Sequence, residues 1–512
     1  MNKEAIKNWF KQKDNLLLFL VIFGAFIIRL IFFLQTYNQP VWWDEGEYLS
    51  MAKSFVYGIP FDFNPQRPFL LPAFIAGIFA IGLGEAAARF ITVVLPSLGV
   101  VIAMYFLGKE MYDKKVGIIA SFLLAVFWVA LFNTTRVHTD MLALFFGLLS
   151  LYFFWKAYVK EKKMKLIWLF GLFLALGFMA RPTTVLIGVA ALLYVIITEH
   201  HKFLLKKELW FALIVFFLAI TPLIFWNLHQ YNTPFAQTSG YVDPESLAEK
   251  SARPLTWNVF NVIPQFLIPG IPALSILLVI LLVLGIGTLG NFVIGFDHVL
   301  KNKDKKLTAD FLTLILFLLP ILYFLIIERP IYGFEPRWMI ISAVGIFLFI
   351  GKGSTQLYAW LEKGISKKVA VTILMIILLL AIIPQINSAN TQITSKKTSY
   401  LPVKDAALWM KENSNPDEMI YTKSPTQTTY YAERYARGMP ATYEGFVEEQ
   451  KQYKTKFFVV SIFENHEDWL LTYPPQHPDE FVPVQGYMLS ENQPALIVYE
   501  YHPKTSAISS SQ

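Results

Sequence analysis

Apolar residues in this chain come in long blocks, not in strict alternation. Runs long enough to cross a bilayer, roughly 17–25 residues each, begin near positions 15, 90, 116, 140, 166, 183, 209, 270, 310, 336 and 369. The pattern predicts eleven spans. A further apolar stretch at 69–84 is short and opens with Pro68 and Pro72, so it is read as a helix lying at the membrane interface. After residue 385 the blocks stop and Pro, Tyr, Glu and polar residues rise. Residues 405–413 have the pattern of an amphipathic helix, and 418–422, 457–463 and 495–501 that of short strands. The expected fold is a mainly α polytopic membrane protein with about 11 transmembrane helices and interfacial helices in the first outer loop. A small C-terminal α/β soluble domain completes it. The expected domains are 1–385 for the membrane part, whose loop 36–89 carries the site, 386–505 for the α/β part, and a disordered tail at 506–512. No repeat interrupts this order.

Charge orients the pattern. Six segments between spans (1–14, 109–115, 160–165, 200–208, 297–308 and 352–368) hold 22 Lys and no Arg. Lys-rich short loops face the cytoplasm, which places the N-terminus inside and, with an odd number of spans, the C-terminal domain outside. No small-residue cleavage site follows the first apolar run, so an uncleaved first helix is expected. Counting 69–84 as a span would invert every later loop, so it is not counted. The opposite segments carry Arg instead: Arg67, Arg89, Arg136, Arg181, Arg253, Arg329 and Arg337. Orientation needs only positive charge. A guanidinium adds a rigid fork that binds phosphate or carboxylate bidentately. For any one of these Arg, pairing with a neighbouring carboxylate or a headgroup is an even alternative to holding a substrate phosphate.

Composition agrees with a membrane protein. The 512 residues are 55% hydrophobic and 16% charged, with a mean hydropathy of +0.47 and a net charge of +7. The basic balance is explained by the Lys loops, so no nucleic-acid partner is expected. With no Cys in the chain, disulfides, Cys-ligated metals and thiol nucleophiles are excluded.

Candidate chemistry gathers in the Arg-bearing loops. Residues 41–48, Val-Trp-Trp-Asp-Glu-Gly-Glu-Tyr, put three acids among aromatic residues just past the first span, where Trp and Tyr favour headgroup depth. A carboxylate there can deprotonate an acceptor hydroxyl as general base, and Asp44 is the expected one. If 44–55 is helical, Tyr48 shares its face and Glu45 points elsewhere. Asp140 leads into a span and sits at similar depth. Both acids have a bland alternative as helix caps. Separated acids such as Asp44 and Asp140 could also share a divalent cation (Mg, Mn or Zn) through oxygen ligands. His138 lacks a second His nearby, which makes it a polar interface residue before a metal ligand. Glu85 and Arg89 are spaced for an i,i+4 ion pair, with substrate contact the alternative. Arg29, inside the first span, is expected to snorkel outward or to meet a lipid phosphate. The G-x-G-x-x-G at 285–290 lies within a span, lacking the strand a dinucleotide site needs. Its glycines fit close helix packing instead, and no nucleotide cofactor is expected.

Together Asp44-Glu45 with Tyr48, Gln66-Arg67-Pro68, Gly84-Glu85 with Arg89, Arg136 and Asp140, Arg181-Pro182 and Arg337-Trp338 resemble the integral-membrane class C glycosyltransferases. The nearest kin are protein O-mannosyltransferases and aminoarabinose lipid A transferases, which use polyprenyl-phosphate sugars. The likeness spans roughly 15–385. It implies an inverting transfer from a polyprenyl (dolichyl)-phosphate sugar to a protein, lipid or glycan hydroxyl at the outer face of the plasma membrane. Asp44, with Glu45 and Asp140, would be catalytic. Tyr48, Arg67, Glu85, Arg89, Arg136, His138, Arg181 and Arg337 would bind substrate, and Asp44 with Asp140 would hold any metal. Glu47 stands where the aminoarabinose transferases tend to have Arg, and Arg67 where they tend to have Lys, so sugar and acceptor are not inherited from that subgroup. The alternatives are a polyprenyl-lipid flippase or transporter, which would show ionisable residues at mid-membrane and inverted repeats, and a non-catalytic scaffold.

Overall fold

The computed structural model describes residues 3–160, 164–237, 244–267, 269, 272–287, 305–330, 334–462, 464–465, 467–490 and 493–503. The tail expected to be disordered, positions 288–290 of the glycine motif and most of the Lys-rich segment at 297–308 lie outside these residues.

A helix starts at or near each of the eleven expected places. Seven are long and apolar enough to cross a membrane: Lys13–Thr36, Glu85–Met111, Asp140–Lys160, Pro182–Leu205, Ala309–Glu328, Pro336–Gly364 and Lys367–Lys396. Lys207–Ala219 and Thr221–Tyr231, bent by 40° at their junction, make an eighth if taken as one span. Lys114–Val126, Ile167–Ala180 and Pro272–Gly287, with 13, 14 and 16 residues, are shorter. At 1.5 Å per residue the first two fall short of a ~30 Å hydrocarbon core, and the third is given by its described residues alone. The stretch expected at the interface forms an 11-residue helix, Leu70–Ala80.

The chain divides into two compact units, and the division differs from a boundary at 385. One unit is Met1–Tyr37, Pro68–Leu70 and Arg89–Ser395; the other is Asn38–Arg67, Leu71–Ala88 and Lys396–Gln512. Helix Lys367–Lys396 runs through 385 without a break; the composition changes there because the helix turns polar, not because it ends. The first loop therefore groups with the C-terminal segment.

In the helical unit, Phe127 is fully buried and meets Phe266 and Phe347 edge-on at 4.9 and 5.1 Å. Gly285 does serve close packing: a Cβ there would lie 2.0 Å from the Phe349 carbonyl oxygen, whereas one at Gly287 would meet none of the described residues within 4 Å. Arg29 departs from the snorkelling expectation. It is fully buried, donating from Nε to Ser97 Oγ at 2.8 Å and from Nη1 to the carbonyls of Ala125 and Ala25 at 2.9 and 3.2 Å. Ala125 closes helix Lys114–Val126, so the cation meets the negative end of a helix dipole.

In the second unit, strands β1 (Met419–Thr422), β2 (Ala436–Arg437), β3 (Thr455–Ser461), β4 (Phe481–Ser490) and β5 (Gln493–Tyr501) form one sheet in the order β2-β1-β3-β5-β4. The β1 pairings are parallel and those of β5 antiparallel. Three strands and the helix Leu401–Glu412 fall where the pattern put them. The helices Pro425–Ala432, Tyr443–Gln450 and Asp468–Gln476 were not foreseen.

Candidate active site

Residues 43–57 form a helix, Trp43–Tyr57, ended by Gly58 at φ 67°, whose N–H donates to Ser54 O at 3.0 Å. The left-handed conformation suits glycine. The cap at the other end is made by Glu45, not by Asp44. Buried Glu45 accepts the Trp42 N–H at 3.0 Å, from the third helical position, as in half of a capping box. Glu45 thus has a structural task, and the catalytic expectation for this loop contracts to Asp44. Asp44 keeps about a quarter of its side chain exposed and accepts from Arg67 Nη2 at 2.7 Å. The same guanidinium donates from Nε to Glu47, which also accepts from Asn64 Nδ2 at 3.2 Å. Arg67 further lies over the ring of buried Tyr48, 5.8 Å from its centroid. Burial alone would make Arg67 a weaker base; facing Tyr48, Asp44 and Glu47 more than offsets this and holds it above the usual Arg value. Glu47 in place of a cation is thus explained by its ion pair, and Arg67 is an orienting fork between two acids.

The second cluster lies in the helical unit, where Pro182 and Pro336 each open a helical segment. The residue before Pro is pushed out of the α region. Arg181 accordingly sits extended (φ −156°, ψ 119°) ahead of Pro182, and Glu335 (φ −91°, ψ 127°) ahead of Pro336. Arg181 and Arg337, each next to one of these prolines, both reach Asp140, the first residue of its helix. Arg181 Nη1 donates to Asp140 Oδ1, and its Nε to Thr183 Oγ1 at 3.2 Å. Arg337 Nη1 lies 3.7 Å from Asp140 Oδ2 and 2.9 Å from His138 Nδ1, while its Nε pairs with Glu335. A guanidinium only donates, so Nδ1 accepts. Asp140 is buried, whereas the two Arg keep 22% and 18% of their side chains exposed. Its carboxylate makes ion pairs and, unlike the true cap Asp113, does not cap its helix. A narrow cleft here is lined by Asp140, Arg181 and Arg337 together with apolar residues that include Leu144, Ile187 and Ile341.

The other expected residues fall elsewhere. Glu85 accepts from Tyr430 Oη at 2.8 Å, and buried Arg89 donates to the Thr135 carbonyl at 3.3 Å. Arg136 is buried. Arg253 pairs with Glu249, and Arg329 donates to the carbonyls of Ile326, Ser251 and Arg253. Carboxylate or carbonyl partners thus engage most of these arginines. Sequence reasoning missed Thr183 and the wall residues, although the Pro after Arg181 could have signalled the break. As for a metal, each acid expected to hold one already faces guanidinium, and no group of three or more His, Cys, Asp or Glu gathers among the described residues. This donor set does not suit a divalent cation.

Residues 66–226 match the family Dolichyl-phosphate-mannose-protein mannosyltransferase. The match takes in Arg67, Glu85, Arg89, Arg136, Asp140 and Arg181 and leaves out Asp44 and Arg337. No curated protein sequence matches the chain. ArnT from Cupriavidus metallidurans bound to undecaprenyl phosphate superposes with a TM-score of 0.62 at 11% identity, over 94% of this chain and 97% of that one. The archaeal oligosaccharyltransferase AglB from Archaeoglobus fulgidus, with an inhibitory peptide and a dolichol-phosphate, gives 0.55 at 15% identity, over 89% and 70%. A further structure of the Archaeoglobus enzyme holds Zn and sulfate. The arabinofuranosyltransferase AftD from Mycobacteria gives 0.55 at 10% identity, over 94% of this chain and 41% of that one. With its apolar helices and C-terminal sheet, the chain shares the fold of ArnT from Cupriavidus metallidurans.

Proposed function

We propose that this protein is a membrane glycosyltransferase that moves a sugar from a polyprenyl-phosphate donor to a hydroxyl acceptor. The observation that carries the reading is the cleft, where two arginines sit over a buried carboxylate beside apolar walls. That combination suits a phosphate carried on a hydrocarbon chain, the ligand chemistry found in the ArnT and AglB structures. In this reading Asp44, oriented by Arg67, takes the acceptor hydroxyl proton. The acceptor oxygen attacks the anomeric carbon with inversion. The bond from that carbon to the phosphate oxygen breaks, and the polyprenyl phosphate leaves with the electron pair. In the helical unit, Arg181 and Arg337, both held by Asp140, suit the phosphate of such a donor. The Lys-rich segments support a plasma-membrane protein with its N-terminus in the cytoplasm and Asp44 on the opposite side.

The test uses the purified protein with a panel of radiolabelled polyprenyl-phosphate monosaccharides, with and without EDTA, alongside Asp44→Asn. Release of one sugar, lost in Asp44→Asn and unchanged by EDTA, is the expected result. If no donor is turned over while polyprenyl phosphate binds, the transferase reading gives way to a lipid transporter.

A further inference from the structure

The first loop and the C-terminal segment belong to one compact unit, and their contact is concentrated on the helix that carries Asp44. Helix Pro425–Ala432 runs against helix Trp43–Tyr57 with bonds at both ends. Near the start, Thr426 Oγ1 donates to the Trp43 carbonyl at 3.3 Å. In the middle, Ser50 Oγ donates to the Thr426 carbonyl at 2.9 Å. Towards the far end, Lys53 Nζ donates to the Tyr430 carbonyl at 2.9 Å and to Glu433 Oε1 at 2.6 Å. Flanking segments are tied to the same region: Val41 N–H donates to Tyr431 Oη at 3.0 Å, and Tyr435 Oη to Asp62 at 2.8 Å.

The approach is closest beside Asp44. A Cβ on Gly46 would lie 2.9 Å from Gln427 N, Thr426 C and Thr426 Oγ1. Two of these are backbone atoms, so no side-chain rotation relieves the clash. Glycine inside a helix costs ~1 kcal/mol relative to alanine, and here the close approach is what it permits. Lys53 is buried enough to weaken it as a base, yet its ammonium stays on Glu433, which a second ammonium, Lys411, also meets at 2.6 Å.

We propose that the C-terminal segment is the positioning element of the catalytic base: helix Pro425–Ala432 holds helix Trp43–Tyr57 in the orientation that presents Asp44. The proposal rests on the transferase reading above. It gives the C-terminal α/β fold a role in the chemical step without supplying any reacting group. Misplacing a base by about 1 Å can cost ~100-fold in rate, so loosening this contact lowers kcat while donor binding stays as it is.

The experiment measures kcat, KM and polyprenyl-phosphate affinity of the full chain in nanodiscs, with thermal unfolding as a fold control. The variants are Gly46→Ala, Lys53→Glu, Glu433→Lys and the charge-swapped pair. The expected result is a tenfold or greater fall in kcat for Gly46→Ala and for each single charge variant. Polyprenyl-phosphate affinity should stay within twofold, and the swapped pair should recover part of kcat. Combining Gly46→Ala with Asp44→Asn should lower the residual rate no further than Asp44→Asn alone. Wild-type kcat in folded Gly46→Ala and Lys53→Glu overturns the positioning role, as does a proportional loss of rate, affinity and folded protein. If Asp44→Asn itself keeps the full rate, the base assignment falls instead, so the two failures are told apart.

Discussion

Replacing Asp140 with Asn should move stability and ligand affinity in opposite directions. The substitution keeps the shape and one oxygen acceptor but removes the charge between Arg181 and Arg337. Breaking a buried ion pair by deleting one partner costs ~3–5 kcal/mol. Here both guanidinium groups remain about one-fifth exposed and the amide oxygen still accepts, so the loss should be nearer ~2 kcal/mol. In a chain of this size that is a fall of a few degrees in Tm. The cleft, meanwhile, gains a full positive charge. At about 8 Å and an effective dielectric constant of ~20, one unit charge contributes ~2 kcal/mol to holding an anion. Salt screening leaves about half, or a roughly fivefold tighter Kd for polyprenyl phosphate. Thermal unfolding and equilibrium binding of a fluorescent polyprenyl phosphate in ~0.1 M salt measure both quantities on one sample. Weaker binding in Asp140→Asn would refute the reasoning, because it would mean that the carboxylate's hold on the two guanidinium groups outweighs its charge. An unchanged Tm would refute the structural half.

Arg181→Lys keeps the charge but loses the fork that reaches both Asp140 and Thr183. Polyprenyl-phosphate affinity should fall about tenfold, the equivalent of ~1.4 kcal/mol, by the same binding assay. Gly285→Ala should prevent stable folding or lower Tm sharply, since its Cβ would collide with the Phe349 carbonyl. Gly287→Ala, whose Cβ meets none of the described residues within 4 Å, should be neutral or should stabilise by up to ~1 kcal/mol, as thermal unfolding will report. Burial alone would raise Glu433, but Lys411 and Lys53 outweigh it and hold the carboxyl below its usual value. Its contribution is therefore present above the ordinary Glu pKa of about 4.3 and is lost as pH falls through the lower folded value. Being partly exposed, it is worth under about 1 kcal/mol. The Tm gap between the native protein and Glu433→Gln, scanned from pH 7 to pH 3, should close at the acid end.

Much of the architecture was legible because bilayer-spanning segments need long unbroken apolar runs, and such runs are a property of the chain itself. Helix positions, the Lys/Arg split and the C-terminal change of composition all followed from local sequence, as did the glycine at 285 as a packing site and not a nucleotide loop. Local chemistry also marked 41–48 and 133–140 as the stretches to watch. What each side chain does there depended on partners distant in sequence. Asp44 and Glu45 are adjacent acids, and only the structure turns Glu45 onto the Trp42 N–H and Asp44 onto Arg67. Asp140 meets Arg181 and Arg337 because Pro182 separates two helices beside it and Pro336 opens another, each far away in sequence. Arg29 is held by Ser97 and Ala125 instead of lipid because two other helices converge on it. The grouping of the first loop with residues beyond 395 had no signal in the sequence. Hydrophobic periodicity reports which face of an element is buried, whereas a polar contact spanning several hundred residues depends on how the whole chain closes.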